Sequence, residues 1–179
     1  MFTIQISGLN ESLRAISHIP GGVEKAGERA IKKTFKVAKV QADTSFNTTY
    51  TYRKRLSSVA KSEQVRGLRG SLGYGSAETF LDEFNYQPQS PLNGKRGQFI
   101  KSEIKRGINE IKSYKAFKTR RKKPLFERIG KRRYPIRRAK GPSVGSLIAD
   151  NSVSRPVIRT IENNLPAFLS AEAAKLLGG

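Results

Sequence analysis

Residues 95–140 hold nineteen lysines and arginines against three acidic side chains, so +16 of the chain's formal +21 lies in about a quarter of its 179 residues. Unpaired charge costs too much to bury, so any fold of this chain must display that block on a surface. Its densest part, Lys112 to Lys140, has fourteen basic residues against Glu127 alone. Runs of this kind are commonly solvated tails. Here Tyr114, Phe117, Leu125, Phe126, Ile129, Tyr134 and Ile136 are spread through the run and can anchor it, so it reads as folded and basic on its outer face. The stretch Lys118–Lys123 (KTRRKK) has no apolar residue and reads as an exposed turn or loop. Hydrophobic residues make up 36% of the chain, below the usual globular share and enough for one modest core. The length suits a single domain over 1–179, one that completes its folding against a partner.

The composition also excludes functions. There is no cysteine, which removes disulfide scaffolds, zinc fingers and thiol nucleophiles. The single histidine, His18, removes multi-histidine metal sites and argues against a Ser-His-Asp enzyme. No apolar run approaches the ~20 residues needed to span a bilayer. The N-terminus alternates polar and apolar residues and has no basic residue before Arg14, unlike a secretory signal. The expectation is a soluble protein, intracellular or particle-associated, with no membrane partner, no cofactor, and polyanionic or acidic partners.

The pattern along the chain predicts an α+β fold: a small, mostly antiparallel sheet with hairpins, covered by a long N-terminal helix and a C-terminal helix. Phe2, Ile4 and Ile6 alternate with polar residues as in a half-buried strand. A short helix carries Leu13 and Ile16, and Pro20-Gly21-Gly22 breaks the chain. Val23 to about Phe46 has Ala26, Ala30, Ile31, Thr34, Ala38 and Ala42 at helical spacing, with lysines and Arg29 on the other surface. Those small residues let another backbone come close, so this helix should lie tightly on a sheet or a second helix. Residues 53–64 read as a short polar helix, and Leu68 to Tyr74 as a flexible, bulged strand. Residues 85–97 read as a loop, Phe99–Arg106 as a strand turned by Gly107, and Ile108–Phe117 as its return. Leu125–Ile129 and Tyr134–Arg138 flank a Gly130-led turn as in a hairpin, with Pro135 on an edge. Ser143 or Ser154 can cap a helix after the Gly141-Pro142 stop. Residues 155–177 then form a terminal helix with Pro156 in its first turn, a kink at Pro166, and Val157, Ile158, Ile161, Leu165, Phe168, Leu169 and Ala173 inward.

Catalytic motifs are weak. Gly67–Gly75 is glycine-rich but lacks the Lys-Ser/Thr of a phosphate cradle, so a flexible strand is favoured. Glu78, Asp82 and Glu83 sit in one short stretch and do not converge on a metal, so they read as solvated acidic positions. His18 reads as a surface or capping residue. The basic block remains: such a surface binds nucleic acid in a salt-dependent way or docks on acidic protein. Phe117, Phe126 and Tyr134 could stack on bases, but core packing is their favoured role. The candidate contacts to nucleic acid or an acidic partner are Lys118, Arg120, Arg121, Lys122, Lys123, Lys131, Arg132, Arg133, Arg137 and Arg138.

The stretch LFERIGKRRYPIRRAKGPSVGSLI, Leu125 to Ile148, resembles the phage minor tail protein Z family, the tail completion proteins of tailed bacteriophages. The opening Ile6–Thr34 has that family's strand, Gly-Leu, short helix, proline and long Ala-rich helix. Ala116-Phe117 stands before a basic stretch as its "AF" does. Phe126-Glu127-Arg128 precedes Gly130-Lys131, and Tyr134-Pro135-Ile136 is followed by Gly141-Pro142-Ser143-Val144. The resemblance covers most of the chain in order, most loosely over 47–97. It implies a structural virion protein and no enzyme: a small protomer in a ring, sixfold by analogy, at the head-proximal end of the tail. The implied partners are itself, neighbouring tail terminator, tail tube or head-connector proteins, and viral DNA in the channel. The YPI–GPS segment would be a structural corner, and loops at 85–97 and 118–123 would reach neighbouring subunits. A stand-alone basic nucleic-acid-binding protein, RNA- or DNA-associated, is the alternative from a different class.

Overall fold

The computed structural model describes residues 1–6, 11–54, 56, 59, 61–75, 78–87, 99–107, 109–113, 116–118, 124–130 and 134–178. Strand β1 (Phe2–Gln5) buries Phe2 and Ile4 and exposes Thr3 and Gln5, as its alternation requires. Helix α1 (Glu11–Ala15) is followed closely by helix α2 (Gly22–Thr49), which starts after Gly21 at φ +66. His18, between them, is exposed.

Of the segment expected to be a polar helix, 53–64, residues 61–64 belong instead to strand β2 (Lys61–Arg66), paired with β3 (Arg69–Tyr74) across a turn of Gly67 and Leu68. Gly67 has φ +53, a conformation few other residues adopt, and this tight turn holds the two strands in register. The ladder is continuous from Lys61↔Tyr74 to Arg66↔Arg69, without the expected bulge. Strand β1 pairs on the other side of β3, giving the order β1-β3-β2.

A second sheet, in the order β4-β5-β6, joins β4 (Asn85–Gln87), β5 (Ile100–Lys105) and β6 (Asn109–Ser113). Residues 85–87 are therefore strand and not loop, because buried Tyr86 pairs with Ser102. Positions 88–97 of the expected loop lie outside the described residues. Gly107 turns β5 into β6 at φ +71. The expected return strand stops at Ser113, and β7 (Ala116–Phe117) joins a third sheet with β8 (Phe126–Arg128) and β9 (Ile136–Arg138). The β8–β9 hairpin is the expected one, and Pro135 lies beside the edge strand β9. The fold is thus α+β, with three small antiparallel sheets where one was expected.

Ser143 caps α3 (Val144–Ala149), its hydroxyl accepting from the Ser146 amide at 3.2 Å. Asp150 caps α4 (Asn151–Leu177) by accepting from the Ser152 amide at 2.8 Å. Those donors and the nearby Lys105 hold its carboxyl below the usual range. This earlier cap starts the helix before residue 155 and puts Pro156 in the second turn. The helix continues through both prolines. Ile158, expected to point inward, is 44% exposed. Among the described residues no helix is long and apolar enough to cross a membrane.

Helix α2 has two working sides. Ala26 and Ala30 pack with Leu13, Ile16, Leu169 and Ala173, joining α1 and the C-terminal half of α4. Ile31 and Phe35 meet β3 at Gly70, where a Cβ would stand 2.5 Å from Ile31 Cγ2 and 3.0 Å from the Phe35 ring. The small-residue stripe thus serves a helix on one side, while a glycine admits the sheet on the other. The main core cluster draws on residues from Phe2 to Val157, including parts of all three sheets.

One carboxylate is buried at the α2–α4 seam. Glu172 is 2% exposed and accepts from the ammonium groups of Lys33 and, at 3.1 Å, Lys175. The Lys33 bond, with that of Lys175, holds the Glu172 carboxyl below its ordinary pKa of 4.5 against the opposing effect of burial. A lowered folded pKa gives stability that is complete above 4.5 and lost as pH falls through the folded value. Glu172→Gln is therefore expected to melt below the native protein at neutral pH, with the gap closing in acid. Thermal melts between about pH 7 and pH 3 check this; a pH-independent gap would mean that the lost stability is not ionic.

Candidate polyanion interface

The basic block is attached to the fold through backbone. The Ala139 amide donates to Leu125 O at 2.9 Å, Leu81 N to Ala139 O at 3.0 Å, and Gly141 N to Thr79 O at 2.8 Å. Residues 79–81 therefore run antiparallel beside 139–141, with Phe80 bridging Lys140. The Thr79 hydroxyl donates to Pro142 O. Gly141 is needed for this approach: a Cβ there would lie 2.7 Å from Thr79 Oγ1 and 3.2 Å from the Phe84 ring.

This strap brings acid to base. Arg138 holds Asp82 with two hydrogen bonds, at 3.0 and 2.7 Å, lies 3.5 Å from Glu83, and stacks over Phe80 at 4.0 Å. Lys54 also reaches Glu83, at 2.7 Å, and Lys140 reaches Glu78 at 2.6 Å. Of the three acidic positions read as solvated, only Glu78 is exposed; Asp82 and Glu83 have side chains 14% and 5% exposed. The partners stand 29 to 62 residues apart in the chain, which left no local signal of this network.

The expected contact residues divide accordingly. Lys118 is buried, 2% exposed, and donates to the Tyr86 hydroxyl at 2.8 Å while lying over the same ring. It is part of the interior and not of an exposed loop. Arg137 is exposed but paired with Glu127 at 2.6 Å, and Arg138 serves the acidic strap. Arg120, Arg121, Lys122, Lys123, Lys131, Arg132 and Arg133 lie outside the described residues.

The structural-motif residues also divide. Ala116 is buried, and the rings of Phe117 and Phe126 lie 6.2 Å apart with Arg128 over Phe117. Leu125 anchors the block fully. Tyr134, Ile136 and Ile129 do not: they are 64%, 37% and 56% exposed. Tyr134 therefore does not take the core role expected for it. Pro135 accepts from the Ile129 amide, and Gly141, Pro142 and Ser143 form the turn into α3.

Exposed cations without an ion pair among the described residues include Arg128 in the block and others on α2 and the first sheet. Lys25, Arg29, Lys32 and Lys36 follow helical spacing down the solvent side of α2. Arg66 and Arg69 stand opposite each other on the outer side of the first sheet. Arg66 and Arg69 read in the sequence as part of one flexible strand, although Arg-Gly-Leu-Arg within alternating residues is a hairpin signal. Scans against family models and searches of curated proteins and solved structures find no match to this chain.

Proposed function

We propose that this chain is a structural virion protein of a tailed bacteriophage, a tail completion or neck protein. It forms a homo-oligomeric ring at the head-proximal end of the tail and takes part in head–tail joining, after assembly in the host cytoplasm. The carrying observation is the ordered run FER, GK, YPI and GPSV. Its support in the fold is that Gly141 and Pro142 form a tight corner against Thr79 and Phe84, an architectural use of those residues. A second support is the exposed apolar trio Ile129, Tyr134 and Ile136 on one edge hairpin, a surface for a neighbouring subunit to cover.

The charge bears on the partners. Six copies carry six times +21, and such a ring repels itself unless DNA or acidic neighbouring rings offset the field. The unpaired cations on α2 and the first sheet also favour a second reading, a stand-alone nucleic-acid-binding protein. Particle assembly separates the two. Without this chain, full heads and tails are expected to accumulate unjoined under the electron microscope. Normal joined particles, or purified virions that lack the polypeptide, would defeat the virion reading and leave the second.

A further inference from the structure

The outer side of the β1-β3-β2 sheet is a two-row array of hydrogen-bond donors. The first row, across the three strands, is Gln5, Arg69 and Arg66; the second is Thr3, Ser71 and Gln64. Phe2, Ile4, Gly70 and Leu72 turn inward, so the side-chain alternation puts these six outward. Five of them are exposed and Ser71 is half-buried. Five, with the Gly70 backbone, line an open groove of about 280 Å³.

Two features make this face unusual. Arg66 and Arg69 are directly opposed across the ladder, an arrangement that destabilises a hairpin by like-charge repulsion. No described carboxylate forms an ion pair with either. Two carboxylate side chains of α2 reach the turn without an ion pair to either arginine: Glu28, whose oxygen accepts from the Gly67 amide at 2.9 Å, and Glu24, whose Cγ lies 4.0 Å from where a Gly67 Cβ would stand. The Glu28 bond fixes the turn and hence the arginine pair. Glu63, also on β2, is held by Lys39.

We propose that this face binds the phosphodiester backbone of nucleic acid, without sequence preference. Two guanidinium forks flanked by hydroxyl and amide groups match the oxygens of phosphate. No aromatic side chain lies in either row, so bases are not stacked and sequence is not read. The bound phosphate supplies the counter-charge that the opposed arginines lack. This rests on and deepens the DNA contact in the proposed function, and adds to the 112–140 block a surface whose two arginines have no ion pair among the described residues.

The test is binding of a fluorescein-labelled DNA duplex to the full chain, read by anisotropy between ~50 and ~200 mM salt. Arg66→Ala/Arg69→Ala is expected to weaken binding at least tenfold and to lower the salt-dependence slope by about 2, close to one unit per lost phosphate contact. The control is Arg155→Ala/Arg159→Ala on exposed α4 positions, with the same charge loss. Melting must show the first variant as stable as the native chain or more so, since repulsion is removed. Added DNA should raise the melting temperature of the native chain by more than that of the variant.

Equal weakening by the α4 control would assign the effect to net charge and overturn the site. Unchanged binding in Arg66→Ala/Arg69→Ala would overturn the site while leaving DNA binding intact. A native chain that binds no DNA would overturn both the site and the DNA contact. Displacement of DNA by polyglutamate as readily as by a polynucleotide of equal charge would give the groove to acidic protein instead. Saturation by inorganic phosphate at the same concentration as DNA phosphate would reduce it to a small-anion site.

Discussion

Phe35→Ala is expected to lower the unfolding free energy by ~3–5 kcal/mol, in the range for emptying a buried aromatic site. The ring is fully buried on the side of α2 that meets β3. Its edge fills the space left by the missing side chain of Gly70, 3.0 to 3.1 Å from where a Cβ would be. Helix α2 is also packed against α4 through Ala26 and Ala30, so it cannot move into the vacancy without leaving α4. The cavity therefore stays largely open, and with domain stabilities of ~5–15 kcal/mol the loss is a large part of the total. The same seam should resist filling. Gly70→Ala puts a methyl 2.5 Å from a β-branched side chain and 3.0 Å from a ring, neither free to turn away, and should cost ~1–3 kcal/mol. Gly27→Ala is the control. Its Cβ meets only the end of the Leu68 side chain closely, at 2.4 Å, which can rotate, and alanine gains up to ~1 kcal/mol in helix propensity. Urea denaturation of the three variants checks the argument. Equal losses at Gly70 and Gly27 would show that the seam is not the tight contact described.

Local signals in this sequence reported local structure well. The alternation of Phe2 and Ile4, the alanine stripe of α2, the Gly107 turn and the 125–138 hairpin each depend on residues close together in the chain. Lys61–Arg66 was within reach of its partner, since β3 follows across a two-residue turn, but its polar composition hid the strand. The other failures depended on partners far away. Asn85–Gln87 is polar enough for a loop and becomes strand because Tyr86 has a place in the core opposite Ser102. Charge was misjudged for the same reason. Composition correctly places an excess of cations in 95–140, yet it cannot tell which arginines are already paired. Asp82 and Glu83 neutralise Arg138 across the fold, while Arg66 and Arg69, in a segment with little net charge, have no ion-pair partner among the described residues. A count along the chain finds where charge is dense; only the fold shows where it is unpaired.

Arg138→Ala should destabilise the protein by ~2–3 kcal/mol, although it removes one positive charge from a chain with far too many. Global repulsion predicts the opposite sign, so the experiment decides between net charge and local pairing. Breaking a buried ion pair costs ~3–5 kcal/mol because the remaining charge is uncompensated, and partial solvent access to Arg138 reduces that figure. The arginine side chain is 35% exposed, but Asp82 and Glu83 are 14% and 5% exposed, so the carboxylates bear the loss. Lys54 continues to pair with Glu83, while Asp82 loses both of its hydrogen bonds to Arg138. Arg138→Lys keeps the charge but not the two-pronged geometry, and should recover about half of the stability. Asp82→Ala/Arg138→Ala should lose less than the sum of the single variants by at least ~1 kcal/mol, because the second substitution removes a group already stranded. Additive losses in that cycle would sink the account. Arg137→Ala, one residue away and with its half-exposed side chain paired only to Glu127 among the described residues, should change stability by less than ~1 kcal/mol. A large effect at 138 and a small one at 137 would separate the cation that holds the corner together from its half-exposed neighbour.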